Sequence, residues 1–380
     1  MHKNKTYSRT TTLTLVCSSA LVIANSAALA SGFGIPELNT TGLGTSNALV
    51  ANPKVLGAIA YNPAAMSFHQ GKSLSLGTLL VKPDLTADTG SGSVDSKAND
   101  VVIIPAITAH NNLNKDWTLG ISVNAPFGLE TEWQVETYNQ QYPAGTGIPT
   151  KTKLEIAAFS PSVAYKLSDR ASLAFGVDYY WMKEVTFNSK INTGTGVYPK
   201  SNLEGDGRST GFNLGGMLVL DSLSFGASYH SSSKIKVEGT LDDGTGTLQS
   251  KRLSDNVTAT LELPWRLQLG VRHQTTEKLA IEFDFTRTGW KTFDTLDIKN
   301  KEYRKTLSTS INNFDNANAY RLGVTYDFSQ ATQLRVGYTY DETPQKDERF
   351  SIRIPDADRQ LFSLGIGHTL SNNCPYGAAP

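Results

Sequence analysis

Side chains able to do chemistry are few in this chain, and their spacing argues against catalysis. Its six histidines (His2, His69, His110, His230, His273 and His368) fall at no metal-ligand spacing. No G-x-S-x-G nucleophile turn and no phosphate-binding glycine loop is present. His230-Ser231 and His368 suggest a hydrolase dyad, but no acid lies near either in sequence, and both sit on or at the ends of alternating segments. A wall or surface role fits them better. Glu282 and Asp284 are two apart, so on a strand both carboxylates face one side, which suits a polar interior better than acid–base work. No catalytic residue, metal or cofactor is expected.

The elements that must carry these residues have a period of two. ASLAFGVDYY (171–180), SLSFGASY (222–229), WRLQLGV (265–271), KLAIEFDF (278–285), YRLGVTYDF (320–328), QLRVGYTY (333–340) and LFSLGIGHT (361–369) each put apolar residues on one face and small or polar ones on the other. No run of 18 apolar residues occurs, which excludes a helical membrane protein. A soluble sandwich and a membrane barrel both alternate in this way. Aromatics near strand ends (Trp117, Tyr179, Trp181, Trp265, Trp290, Tyr338, Tyr340) favour the barrel, as do glycines within strands (Gly120, Gly176, Gly226, Gly270, Gly323, Gly337, Gly365). Short turns at 167–170 and 327–330 alternate with long polar stretches at 127–151, 189–207, 238–255 and 289–317, again as in an outer-membrane barrel. Strands are expected to start near residues 73, 100, 116, 153, 171, 209, 222, 257 or 265, 278, 319, 332 and 359. That makes about twelve, with Pro264 leaving the 257/265 choice open because proline cannot donate within a ladder.

The N-terminus sets the compartment. Lys3, Lys5 and Arg9 precede an apolar stretch that ends in Ala28-Leu29-Ala30, the pattern of a signal peptide cleaved before Ser31. Cleavage would leave Cys374 as the sole cysteine, so no intrachain disulfide is expected. The whole chain carries 35 basic and 35 acidic residues; loss of those three cations leaves 32 against 35, a balance that gives no reason to expect nucleic acid as a partner. After the leader, residues 31–70 are small and glycine-rich. They include Phe33, Ile35, Leu38, Leu43, Leu49, Val50, Val55, Leu56, Ile59 and Tyr61, too much apolar surface for a tail without a wall to pack on.

To this point a porin, an adhesin or a membrane lipase would fit. Ser31-Gly32-Phe33-Gly34, Thr41-Gly42-Leu43-Gly44 and Asn62-Pro63-Ala64 resemble, in order and spacing, the N-terminal hatch of the FadL family of outer-membrane channels for long-chain fatty acids and hydrophobic compounds. NAPFGLETEW (124–133), which looks like a family segment after the third strand, NAYRLG (318–323) and IPDADR (354–359) carry the resemblance across most of the chain.

The resemblance implies an all-β, transmembrane antiparallel β-barrel, 14-stranded in the family with about twelve strands visible here, holding a small hatch in its lumen. The expected division is a signal peptide over 1–30, the hatch over 31–70, the barrel over 71–370 and an atypical tail over 371–380. It implies a monomer in the outer membrane of a Gram-negative bacterium, surrounded by outer-membrane lipid and inserted by the barrel-assembly machinery. Uptake would be passive, from extracellular loops to a pocket beside the hatch N-terminus, with lateral exit at a kinked strand. Ser31, Gly32 and Phe33 are expected in that pocket, with Lys183 as its cation. Gly42, Gly44, Asn62, Pro63 and Ala64 are expected to anchor the hatch. No Lys or Arg stands in Phe314-Asp315-Asn316-Ala317-Asn318, where some members carry a second basic residue, so a fatty acid and a neutral aromatic hydrocarbon both remain open as substrate.

Family members continue past the IPDADR strand with two further strands and end on an aromatic residue. Residues 371–380 instead lack alternation and resemble out-of-frame sequence, so a frameshifted or truncated product is expected. A surface barrel serving as adhesin, antigen or phage receptor is the functional alternative.

Overall fold

The computed structural model describes residues 15–25, 31–88, 92–134, 142–251 and 253–370. The tail at 371–380, with Cys374, and most of the leader lie outside the described residues. Strands β1 (Leu15–Asn25), β2 (Lys72–Val81), β3 (Thr86–Asp88), β4 (Ser93–Asp95), β5 (Val102–Asn112), β6 (Trp117–Glu132), β7 (Gly147–Ser168), β8 (Ala171–Ile191) and β9 (Lys200–Leu220) form the first half. The second half comprises β10 (Leu223–His230), β11 (Ser233–Asp243), β12 (Asn256–Leu263), β13 (Arg266–Gln274), β14 (Leu279–Thr288), β15 (Thr295–Asn300), β16 (Thr306–Ile311), β17 (Ala317–Asp327), β18 (Thr332–Asp341) and β19 (Arg359–Leu370). Apart from the small β3–β4 hairpin, they form one antiparallel sheet in which neighbours in sequence pair in space. The apolar stretch expected to belong to a cleaved signal peptide contributes β1, which runs along β19 from Leu15↔Leu370 to Asn25↔Gln360.

Four rows of the sheet are broken in two. β9 pairs with β10 through residues 213–220 and with β11 through 201–208, so β10 and β11 are halves of one row. β12 and β13 are halves of the next, parted at Pro264-Trp265. Both sequence-derived starts, 257 and 265, are therefore strand starts, and Pro264 marks the break because it has no N–H to offer. The stretches expected as long loops are partly strand: β6 runs on to Glu132, β7 begins at Gly147, and β15 and β16 lie within 289–317. NAPFGLETEW likewise lies mostly inside β6 rather than after it. Above the lipid a strand keeps its ladder but needs no apolar face, so the alternation that betrays it fades.

Burial alternates along the strands. On β8, Leu173, Phe175, Val177, Tyr179 and Trp181 are exposed, while Ser172, Ala174, Asp178, Tyr180 and Met182 are buried. Leu74 and Leu76 on β2 and Leu364 and Ile366 on β19 extend the outward apolar surface, which is the belt expected of a wall facing lipid. The inward face wraps residues 31–70. α1 (Thr40–Gly44) and two 3₁₀ turns (Leu56–Ala60 and Pro63–Phe68) bring Leu49, Val50, Ala58, Tyr61, Ala64 and Met66 into one core with wall residues Ala164, Ala174 and Met217. Two inward glycines allow backbone to meet backbone: a Cβ on Gly226 would stand 2.0 Å from the Val50 carbonyl oxygen, and one on Gly337 would stand 2.3 Å from the Thr45 carbonyl carbon.

Candidate functional site

The N-terminal segment is fixed to the wall by polar side chains that leave its buried backbone few unmet groups. Asn62 caps the Pro63–Phe68 turn: its Oδ1 accepts from Ala64 N at 3.1 Å, while its Nδ2 donates to Val50 O at 2.9 Å and Gly216 O at 3.0 Å. Pro63 at the first position of the turn needs no hydrogen-bond acceptor, and Ala64 O accepts from Ser172 Oγ on β8. Gly42 leaves room for the Tyr61 ring, whose hydroxyl donates to Asn47 Oδ1 at 2.7 Å; burial pushes that hydroxyl well above its usual range. Gly44 abuts Gly365 of β19. From β14, Asp284 Oδ2 accepts from the N–H groups of both Leu49 (2.8 Å) and Val50 (2.9 Å). Its neighbour Glu282 accepts from Asn52 and from Arg272. The inward-facing acid pair holds this segment rather than lining open water.

Ser31, Gly32 and Phe33 come together at the inner wall. Ser31 Oγ donates to Asp341 Oδ1 at 2.8 Å, and Gly32 N donates to Asp356 Oδ2 at 3.0 Å. Burial holds the Asp356 carboxyl well above the usual range. Ser31 and Gly32 both have positive φ (66° and 63°), so the chain turns sharply just before Phe33. The Phe33 ring lies 4.7 Å from Trp290, 5.3 Å from Phe293 and 5.9 Å from Phe127, centroid to centroid, mostly in edge-to-face contacts. Next to this aromatic cluster is a cavity of about 50 Å³ lined by Ser31, Gly34, Asp178, Tyr180, His230, Arg266, Gln268, Trp290 and Arg321, among others.

The polar end of that cavity is a network no sequence spacing reveals. Asp178 accepts from Ser160 Oγ (2.6 Å), Asn213 Nδ2 (2.7 Å) and His230 Nδ1 (2.8 Å), so His230 has an orienting acid after all, 52 residues away. Arg321 Nη1 donates to Thr286 Oγ1 at 2.6 Å. Three buried nitrogens of this lining (Arg266 Nε, Arg321 Nε and His230 Nε2) have no hydrogen-bond partner among the described residues. Lys183 is not brought here. It lies outward on β8, exposed, and pairs with Glu155 Oε2 at 3.1 Å. Strand parity held that signal: Phe175, Val177, Tyr179 and Trp181 point out, so residue 183 does too.

Two further features flank the cavity. Toward the loops, a larger cavity of about 520 Å³ is lined by Phe187, Leu203, Leu241, Leu248, Phe293, Leu296 and Ile298, together with Lys251, Lys305 and Arg353. Burial lowers the Arg353 guanidinium to about 10. In the wall, pairing of β5 with β6 stops at Ile107↔Val123, and the β6–β7 register shifts between Asn124 and Phe127. The bulged residues Ala125 and Pro126 turn β6 toward the N-terminal segment: Ile35 N donates to Pro126 O (2.8 Å), and Gly128 N donates to Phe33 O (2.9 Å). Leu79, Ile104 and Ala106, packed with Ile35, Leu43 and Ala125, form an apolar lining behind the place where β5 and β6 part.

Comparison with known proteins matches residues 21–378 to a family described as outer membrane protein transport protein (OMPP1/FadL/TodX). A 47 kDa outer membrane protein of Pasteurella multocida is 27% identical over 404 residues, covering 97% of this chain and 90% of the relative. A long-chain fatty acid transport protein of Escherichia coli O6:H1 is 25% identical over 408 residues, covering 95% and 89%. Among solved structures, a FadL homologue of Pseudomonas aeruginosa superposes with a TM-score of 0.70 at 18% identity over 89% of this chain and 99% of that one. The toluene transporter TodX of P. putida superposes with a TM-score of 0.64 at 14% identity over 90% and 99%.

Proposed function

The chain belongs to the OMPP1/FadL/TodX family of outer-membrane transport proteins, a transmembrane β-barrel carrying hydrophobic compounds, and from that premise we propose that its substrate is a long-chain fatty acid bound as the carboxylate. The observation that carries this reading is the pair of buried guanidinium donors without partners at one small cavity, Arg266 Nε and Arg321 Nε. Leaving a buried donor unmet costs about 1–3 kcal/mol, more when it is charged, so a lining with two of them suits a ligand that brings acceptor oxygens. A neutral aromatic hydrocarbon would bring none.

A volume of about 50 Å³ suits a headgroup and not an acyl chain. In this reading residues 31–70 are a hatch at rest, and the acyl chain takes the space held by Phe33 among its aromatic neighbours. The apolar cavity under the loops serves as the capture site, its three cations drawing the anion in. The parting of β5 and β6 above Ile107↔Val123, backed by Ile104, Ala106 and Ala125, serves as the lateral way out to lipid. No step is chemical, and one copy of the chain suffices for the route.

Binding of oleate and of its methyl ester to the purified protein tests the reading. Arg266→Gln and Arg321→Gln are each expected to weaken oleate about tenfold, the value of one charge-assisted hydrogen bond, and to leave methyl oleate unchanged. Equal losses for acid and ester would defeat the headgroup assignment. Equal uptake of labelled oleate by cells with and without the gene would defeat transport.

A further inference from the structure

At the periplasmic end, where β2 leaves the N-terminal segment, two histidines 41 positions apart in sequence come together. The His69 and His110 ring centroids lie 5.7 Å apart. His110, on β5, has its Nδ1 hydrogen-bonded to Ser73 Oγ of β2, and His69 has the Val55 backbone as the partner of its ring. The Nε2 atoms of both rings are buried and have no hydrogen-bond partner. One nitrogen hydrogen-bonded to the protein and the other without a partner is the arrangement of metal-ligating imidazoles, where the outer hydrogen bond sets tautomer and aim.

A third donor stands beside them. A Cβ placed on Gly120, the residue paired with His110 across the sheet, would lie 2.6 Å from Met66 Sδ and 3.7 Å from His110 Cβ. The thioether and the imidazole therefore share the space over that glycine. Met66 is fully buried, and its turn leads directly to His69, whose N–H donates to Met66 O. His69 and His110 lie side by side away from solvent, with no carboxylate hydrogen-bonded to either ring among the described residues. A neutral, buried set of two imidazoles and one thioether leaves the charge of a divalent ion uncompensated. Soft donors in low number select copper in its monovalent state.

We propose that His69, His110 and Met66 form a Cu(I) site that pins the N-terminal segment to β5. Nothing in the transport reading requires it, and it stands if that reading fails. Metal at this place would tie the periplasmic end of the segment to the wall through three bonds that bridge separate elements.

The test is competition for Cu(I) against bicinchoninate under anaerobic conditions. It uses the full chain in detergent, with a histidine-free tag and with Cys17 and Cys374 replaced by serine. One equivalent of Cu(I) should be retained, and X-ray absorption should show two nitrogen neighbours and one sulfur neighbour. His69→Gln or His110→Gln should weaken binding at least thirtyfold. Met66→Leu, which keeps the packing volume, should weaken it about tenfold and remove the sulfur neighbour. Retention below a tenth of an equivalent, affinity unchanged in all three variants, or Zn(II) bound as tightly as Cu(I) would each overturn the proposal. Should the histidine variants fail to fold, the absorption spectrum of the unaltered chain and the Met66→Leu affinity still decide it.

Discussion

Single side chains fasten the inner segment to the wall here. Asp284 is the clearest case, since one carboxylate oxygen meets the two successive N–H groups of Leu49 and Val50. Asp284→Ala would strand both donors, and at about 1–3 kcal/mol each the seat of the segment should loosen. Limited proteolysis should then cut within residues 40–60 while the strands stay intact, and an unchanged digestion pattern would contradict the anchoring role. Titration offers a second check at this scale. His69 is held neutral in the folded protein down to about pH 4, against an ordinary value near 6.5. Between those two values the unfolded chain binds the extra proton, so stability is greatest above pH 6.5 and falls as pH drops toward 4, by up to roughly 3 kcal/mol. In metal-free protein, thermal melting should follow that fall, and His69→Gln should flatten it.

Much at this scale was legible and some was not. Gly42, Gly44, Asn62-Pro63 and Ser31-Gly32-Phe33, singled out by their motifs, lie where the inner segment turns tightly or meets the wall closely, which demands particular residue types. Asp178 meeting His230 was not legible as a pair, since it depends on register accumulated across β8, β9 and β10. The arginines could have been found by parity alone. Leu267, Leu269 and Val271 belong to one face of β13, so Arg266 falls on the other; Tyr320 and Leu322 flank Arg321 in the same way.

Among the elements, β6 is the one whose irregularity has work to do. Its inner half pairs with β5 as an ordinary strand, and then Ala125-Pro126 break the register and turn the chain toward Phe33 and Ile35. A bulge both leaves the ladder open and gives the N-terminal segment something to bind, so in the proposed route one feature would set both position and exit. Deleting Ala125 and Pro126 should restore continuous pairing and close the gap. Oleate binding should then change by less than about threefold while uptake by cells falls at least tenfold, a split that separates capture from passage. Loss of both together would show that the bulge only supports the binding site. The sequence conceals this because a proline cannot donate within a ladder, and the residues after it read as loop from 127 onward.

Taken as a whole, the molecule is a sheet wrapped round its own N-terminal segment, and inward positions such as Ala164, Ala174, Met217, Gly226 and Gly337 meet that segment directly. The barrel class was legible because lipid imposes a strict period of two on the outward face. The interior was less so, because small residues there are selected by the approach of one particular backbone. The tightness of that filling has an electrical consequence. With residues 31–70 packed against the inner wall, the void beside Phe33 is only about 50 Å³, too small to serve as a wide aqueous channel. In planar bilayers the protein should therefore carry no steady current under an applied voltage, and a variant lacking residues 31–70 should conduct like an open porin. A bacterium could then hold many copies in its envelope without raising the envelope's permeability to salts, dyes or hydrophilic antibiotics.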